Sequence, residues 1–234
     1  MAIRLISRVL LSLKIRFDRN IWLACLFLLL PLAARAELAL QKNDVIAIMG
    51  GANTVEMMEA GHFESLLGAS HPKLNLRFKD FSWEADTVYA QGTVDERWRV
   101  EAFGDLTAQL KREGTKLVFL QFGQMESMDG FAKLHSFIAN YRGLLAEIKE
   151  LTDRIVIISP TLFEGKPGGV DRNAALMLYV EAMKTLASTE GCGFVDLTGF
   201  ASSDHTRNGI HLRPDQQGKL ARYLFGKLGF KGSY

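Results

Sequence analysis

Five short apolar runs recur along the chain with longer amphipathic segments between them: DVIAIM (44–49), LNLRF (74–78), KLVFLQF (116–122), RIVIIS (154–159) and GFVDL (193–197). Runs of this length, rich in β-branched residues, read as strands. The segments between them, roughly 55–68, 99–113, 130–151 and 172–189, with a last one from Pro214 to about Leu228, carry apolar residues at helical spacing. Strands that are apolar throughout, separated by helices, imply a parallel sheet covered on both faces. The expected fold is therefore α/β, a three-layer α/β/α sandwich on a five-stranded parallel sheet. Ligands of such sheets bind beyond the carboxyl ends of the strands. The segments to inspect are then GGANT, DFSWEADTVYAQG, GQMESMDG, SPTLFEGKPGG and DHTRNGIHL.

The sheet pattern begins only after residue 36. Before it stand a basic stretch, an apolar run IWLACLFLLLPLAA and the small residues ARA, the order of a secretory signal with cleavage expected after Ala36. The apolar run is shorter than the roughly 20 residues a spanning helix needs, so no stable membrane insertion is expected once the signal is cut, and the protein is expected to be periplasmic or extracellular. Cys25 lies early in the apolar run, which argues against lipidation. Six of the 28 basic and one of the 26 acidic residues fall in 1–36, leaving 22 basic against 25 acidic side chains in 37–234. The surplus of positive charge belongs to the targeting segment, and no nucleic-acid partner is expected. Cys192 is then the single cysteine, so the domain 37–234 rests on its core and not on a disulfide.

The first strand runs into a Gly-Gly turn, IAIMGGANT (46–54); SWEADTV (82–88), FGQMES (122–127) and NGIHL (208–212) follow in order, and GHFESLL occupies 61–67. In these blocks the chain resembles the SGNH/GDSL hydrolase superfamily, in particular a divergent group of exported GDSL-like proteins, over nearly all of 42–228. The resemblance implies a flavodoxin-like sandwich and activity on esters of lipids, acetylated sugars or other small acyl groups. Carried over by position, it also implies a depleted site. The family's Gly-Asp-Ser falls on Gly50, Gly51 and Ala52, and acyl-serine chemistry cannot start from alanine. The oxyanion-stabilising glycine falls on Ala85, whose backbone N–H can still serve. The block-three asparagine falls on Met125, whose thioether donates no hydrogen bond. The acid three residues before the catalytic histidine falls on Asn208, ahead of His211, the retained member; an amide orients an imidazole but does not stabilise imidazolium as a carboxylate does.

Other polar residues gather on the same loops. Asp86 and Glu126, with Glu84 and Asp80, offer carboxylates that with His211 would activate water directly; Asp86 also suits a turn or cap, and Glu126 shows no structural duty. Thr54, Ser82 and Ser127 are hydroxyls near the missing serine, although loop hydroxyls usually make turn hydrogen bonds. Gly51, Asn53, Thr54, Trp83 and Gln124 are the expected binding residues, Trp83 lining the cleft or plugging the core beneath it. Cys192 reads as a buried small hydrophobe on the far edge. The histidines 62, 71, 135, 205 and 211 lack metal-ligand spacing, and GGAN lacks a phosphate-loop lysine, so no metal or cofactor is expected. Three readings remain: an exported esterase with a rearranged site acting on an acylated small molecule or carbohydrate, a non-catalytic envelope protein binding a glycan or acyl ligand in the same cleft, and a docking module with no small ligand.

Overall fold

The computed structural model describes residues 38–89, 104–200 and 204–230; the expected signal segment and the first residues of the helix expected over 99–113 lie outside them. The five strands are β1 (Val45–Gly50), β2 (Arg77–Asp80), β3 (Leu117–Gln121), β4 (Ile155–Ile158) and β5 (Gly193–Val195). All neighbouring pairs are parallel, in the order β2-β1-β3-β4-β5. Among the described residues six α-helices accompany them: α1 (Ala52–Ala60), α2 (His62–Ser70), α3 (Leu106–Glu113), α4 (Leu134–Lys149), α5 (Asn173–Glu190) and α6 (Pro214–Lys227).

Alternation of side chains along each strand divides the core in two. Ala47, Met49, Val118, Leu120, Ile155 and Ile157 point to one face, against Phe137, Tyr141 and Leu144 of α4 and Leu176, Tyr179 and Met183 of α5. Ile46, Ile48, Leu117, Phe119, Val156 and Ile158 point to the other, against Phe63 and Leu67 of α2 and Leu220, Leu224 and Phe225 of α6. This is the three-layer sandwich the pattern implied. β1, β3 and β4 are buried along their whole length, which is why they read as continuous apolar runs and not as alternating ones.

Several boundaries differ from the sequence reading, two of them through the backbone conformation of a single residue. The helix expected over 55–68 is two helices broken at Gly61, whose φ of 63° lets it end α1 and begin α2. The strand expected at 74–78 begins only at Arg77, because Asn75 takes a φ of 51° and donates through its side chain to Asn43. Beneath the sheet, at the amino-terminal ends of the strands, Arg154 grips the Asp44 carboxylate at 2.7 and 2.8 Å and the Ala39 carbonyl at 2.6 Å. Burial opposes the Asp44 charge, but the Arg154 guanidinium and the Gln41 N–H outweigh it and hold the carboxyl below its usual range.

Candidate functional site

The chain leaves β1 toward β2 on one side and returns to β3 on the other, so the strand order reverses between β1 and β3. That is the switch point where sheets of this kind open a crevice. Gly50 ends β1 with a φ of 155°, and a Cβ there would overlap the Gln121 carbonyl oxygen and the Thr54 hydroxyl. Glycine therefore lets α1 start flush against the end of β3. Gly51 caps α1 without a side-chain hydrogen bond, and Ala52 is its first residue. Thr54 donates its hydroxyl to Gln121 Oε1 at 2.8 Å, and Gln121 Nε2 reaches the Ser159 carbonyl beyond β4. Asn53 donates to Gln124 Oε1 at 3.0 Å and to the Ile210 carbonyl at 3.1 Å, while its own oxygen accepts from the Leu212 N–H. One buried side chain thus joins α1, the loop after β3 and the loop before α6.

The loop after β2 closes the second side. Trp83 donates its N–H to the Gly50 carbonyl, and Asp86 donates its N–H to the Trp83 carbonyl. Ala85, between them, takes a φ of 55°, a left-handed conformation costly for a residue with a Cβ. Asp86 is buried and accepts from the Thr87 N–H at 3.0 Å. Glu126 is only 1 % exposed, and the lack of structural duty expected for it is corrected here: one carboxylate oxygen accepts from the Val88 N–H at 2.9 Å and the other from the Gly123 N–H at 2.8 Å. It staples the second loop to the third. Burial pushes its carboxyl up to about 7 against the pull of those N–H groups, and the nearby Asp86 adds to the rise.

The histidine sits on a hairpin before α6, closed by the Thr206–Leu212 bridge and by the Arg207 N–H to the His211 carbonyl. Glu164, which the sequence reading left unassigned, holds that hairpin in place. Its carboxylate accepts from the His205 N–H, the Thr206 N–H and the Thr206 hydroxyl, the last two at 2.7 Å, and its own N–H donates to the Gly209 carbonyl. The Thr206 hydroxyl, more than any other partner, draws Glu164 down to about 2. Asn208 lies 3.1 Å from His211 Nδ1 through its amide nitrogen and accepts the His211 backbone N–H at 2.9 Å. Nε2 faces Glu84 at 3.8 Å. Glu56, one turn along α1 from Ala52, pairs with Arg207 and accepts from Gln217. Burial holds the Glu56 carboxyl above its usual value, and the Arg207 and His211 charges partly offset that rise.

A narrow cleft of about 20 Å³ opens at this crossing, lined by Gly51, Asn53, Thr54, Asp86, Gln124, Met125 and Glu126 among others. Seven of the residues singled out in the sequence thus meet around one opening. Asn208, His211, Ala85 and Trp83 stand outside its lining, His211 being tied to it through the bonds of Asn53 to Ile210 and Leu212. Trp83 is 42 % exposed, so it is not a plug in the core. The three loop hydroxyls singled out in the sequence are already engaged: Thr54 with Gln121, Ser127 with the Gln124 carbonyl at 2.7 Å, and Ser82 with Asp80. Cys192 is partly buried beside β5, at the far edge of the sheet. Among the described residues no group of three or more His, Cys, Asp or Glu side chains is placed to hold a metal ion.

No protein-family model matches the chain, and no curated protein matches it in sequence. Solved structures do match. Axe2, an acetylxylan esterase from Geobacillus stearothermophilus, superposes with a TM-score of 0.64 at 19 % identity, over 82 % of this chain and 97 % of its own. A tryptophan-to-isoleucine variant of it, described as an acetyl-xylooligosaccharide esterase, gives 0.65 at 18 % identity, over 83 % and 98 %. The acetyl xylan esterase AlAXEase gives 0.60 at 13 % identity, over 78 % and 98 %. Alanine variants of Axe2 at a serine, a histidine and an aspartate are described as catalytic mutants. At these identities the likeness is one of fold: the chain shares the α/β fold of these esterases.

Proposed function

We propose that this protein is an exported SGNH-type protein that binds an acylated carbohydrate or similar small acyl compound in the cleft between β1 and β3, and that it does not process it through an acyl-serine. The observation that carries the reading is the composition of the crossing point. Ala52 begins α1, at the position where the sequence resemblance would put a nucleophile, and the three hydroxyls of the neighbouring loops are each committed to another acceptor. Losing the nucleophile leaves only binding and residual polarisation to act on an ester. The His211 surroundings favour the same reading, since an amide and not a carboxylate holds Nδ1 and the other nitrogen faces Glu84. The acetylated xylan substrates of the fold neighbours make acetylated xylooligosaccharides the first ligands to try.

Direct hydrolysis remains the rival reading, because the loop still brings a histidine close to the α1 amino terminus. There His211 would act as base on water, with N–H groups near Ala52 and Ala85 receiving the oxyanion. The two readings separate in an assay of the purified protein on short-chain aryl acetates beside its His211→Ala variant. Background rates in both, together with saturable binding of acetylated xylooligosaccharides, are expected. Turnover that the substitution abolishes would replace the binding reading with a hydrolase working by a non-standard route.

A further inference from the structure

The Gln124 amide nitrogen is buried without a hydrogen-bond partner. Gln124 is 9 % exposed and lines the cleft. Its orientation is fixed from outside. Asn53 must present its oxygen to the Leu212 N–H and its nitrogen to the Ile210 carbonyl, because those backbone groups admit no other arrangement. The same Asn53 nitrogen then donates to Gln124, so Gln124 must meet it with Oε1 and turn Nε2 away. An amide donor buried without an acceptor is costly, and native structures keep few of them.

A second set of donors opens beside it. Gly51 caps α1 without a side-chain bond, and Thr54 and Val55 turn their N–H groups back to the Gly51 carbonyl. The N–H groups of Ala52 and Asn53 are left without an intrahelical acceptor. Gly51 and Asn53 line the same cleft as Gln124. Two residues that line the opening, Gln124 and Asn53, thus carry donors without a matched acceptor, and about 20 Å³ admits a group of roughly one water's size. Asp86 and Glu126 line it as well. Their carboxyl groups oppose a second negative charge, so the oxygen that fits is neutral.

We infer that Gln124 supplies the side-chain donor absent from Met125, and that it receives the carbonyl oxygen of an intact ester or amide in preference to a free carboxylate. The protein would then tell an acylated compound from its hydrolysed product. This rests on the binding reading above. Gln124→Glu is the matched variant: one carboxylate oxygen still accepts from Asn53, while the donor to the ligand becomes an acceptor.

The test follows the Gln124 side-chain amide signals by NMR in the purified protein, assigned by their loss in Gln124→Glu. Mono-acetylated xylobiose is titrated in one arm, and xylobiose with sodium acetate in the other. Saturable shifts of the Gln124 amide with the ester, little change with acetate, and at least tenfold weaker ester binding by Gln124→Glu are expected. If backbone signals shift with the ester while the Gln124 amide stays still, or if acetate moves that amide as far as the ester does, the inference fails and the binding reading stands. If the ester shifts no signal anywhere, both fall.

Discussion

Glu126 takes two backbone N–H groups on its two oxygens while only 1 % exposed. Its carboxyl lies at about 7 in the folded chain against 4.5 as the ordinary value. The native state therefore holds this proton more tightly than the unfolded state does. The stability Glu126 contributes is whole below about pH 4.5 and falls as pH rises through about 7. One pKa unit corresponds to about 1.4 kcal/mol, so the melting midpoint of the parent should drop by several degrees across that window. Glu126→Gln should lack that slope whatever its absolute midpoint; an unchanged slope in thermal melts from pH 4.5 to 8 would show that Glu126 does not cause it. This duty could not be seen in the sequence. Gly123 lies close by in the chain, but Val88 comes from a different loop, and neither backbone group has a side chain to announce it. Ala52, Met125 and Asn208 drew notice in the sequence because each departs from the pattern the chain resembles, and Gln124 because of its loop; the unpartnered Gln124 amide nitrogen shows only in the structure.

Glu164 acts through an element, fixing the hairpin that carries His211 by three bonds to two residues. Its carboxyl is held at about 2 against 4.5. That contribution is present above about 4.5 and is lost as pH falls through about 2. Glu164→Ala should raise the hydrogen-exchange rates of the His205 and Thr206 amides at least tenfold at neutral pH while those of β3 keep theirs; equal protection in both proteins would remove the buttress role. The strands and most helices were legible from apolar runs and helical spacing, since burial on both faces writes itself into β1, β3 and β4. Boundaries were harder to read. Gly61 splits a helix and Asn75 delays a strand, and both act through a left-handed φ, which apolar periodicity does not encode. Glu164 was missed because its partners, His205 and Thr206, lie some forty residues away in the chain and two of its three bonds go to backbone N–H groups.

At the scale of the whole molecule, a sheet of the kind found in acetylxylan esterases carries the crossing point on which the binding reading rests. If the proposed absence of an acyl-serine route comes from a few positions alone, few substitutions should create activity. Ala52→Ser combined with Asn208→Asp should raise p-nitrophenyl acetate turnover at least tenfold over the parent, and adding Met125→Asn should raise it further, since a single oxyanion donor is commonly worth about 10²–10³ in rate. A triple variant that remains at the parent's rate would mean the crossing has drifted beyond repair at these positions. The cleft occupies the carboxyl ends of the strands, and Arg154 holds Ala39 at their amino ends. The described chain is thus grasped at the pole farthest from its opening. A bead, a fluorophore or a carrier attached ahead of Leu38 would leave the mouth clear, so immobilised protein should capture ligand as freely as protein in solution.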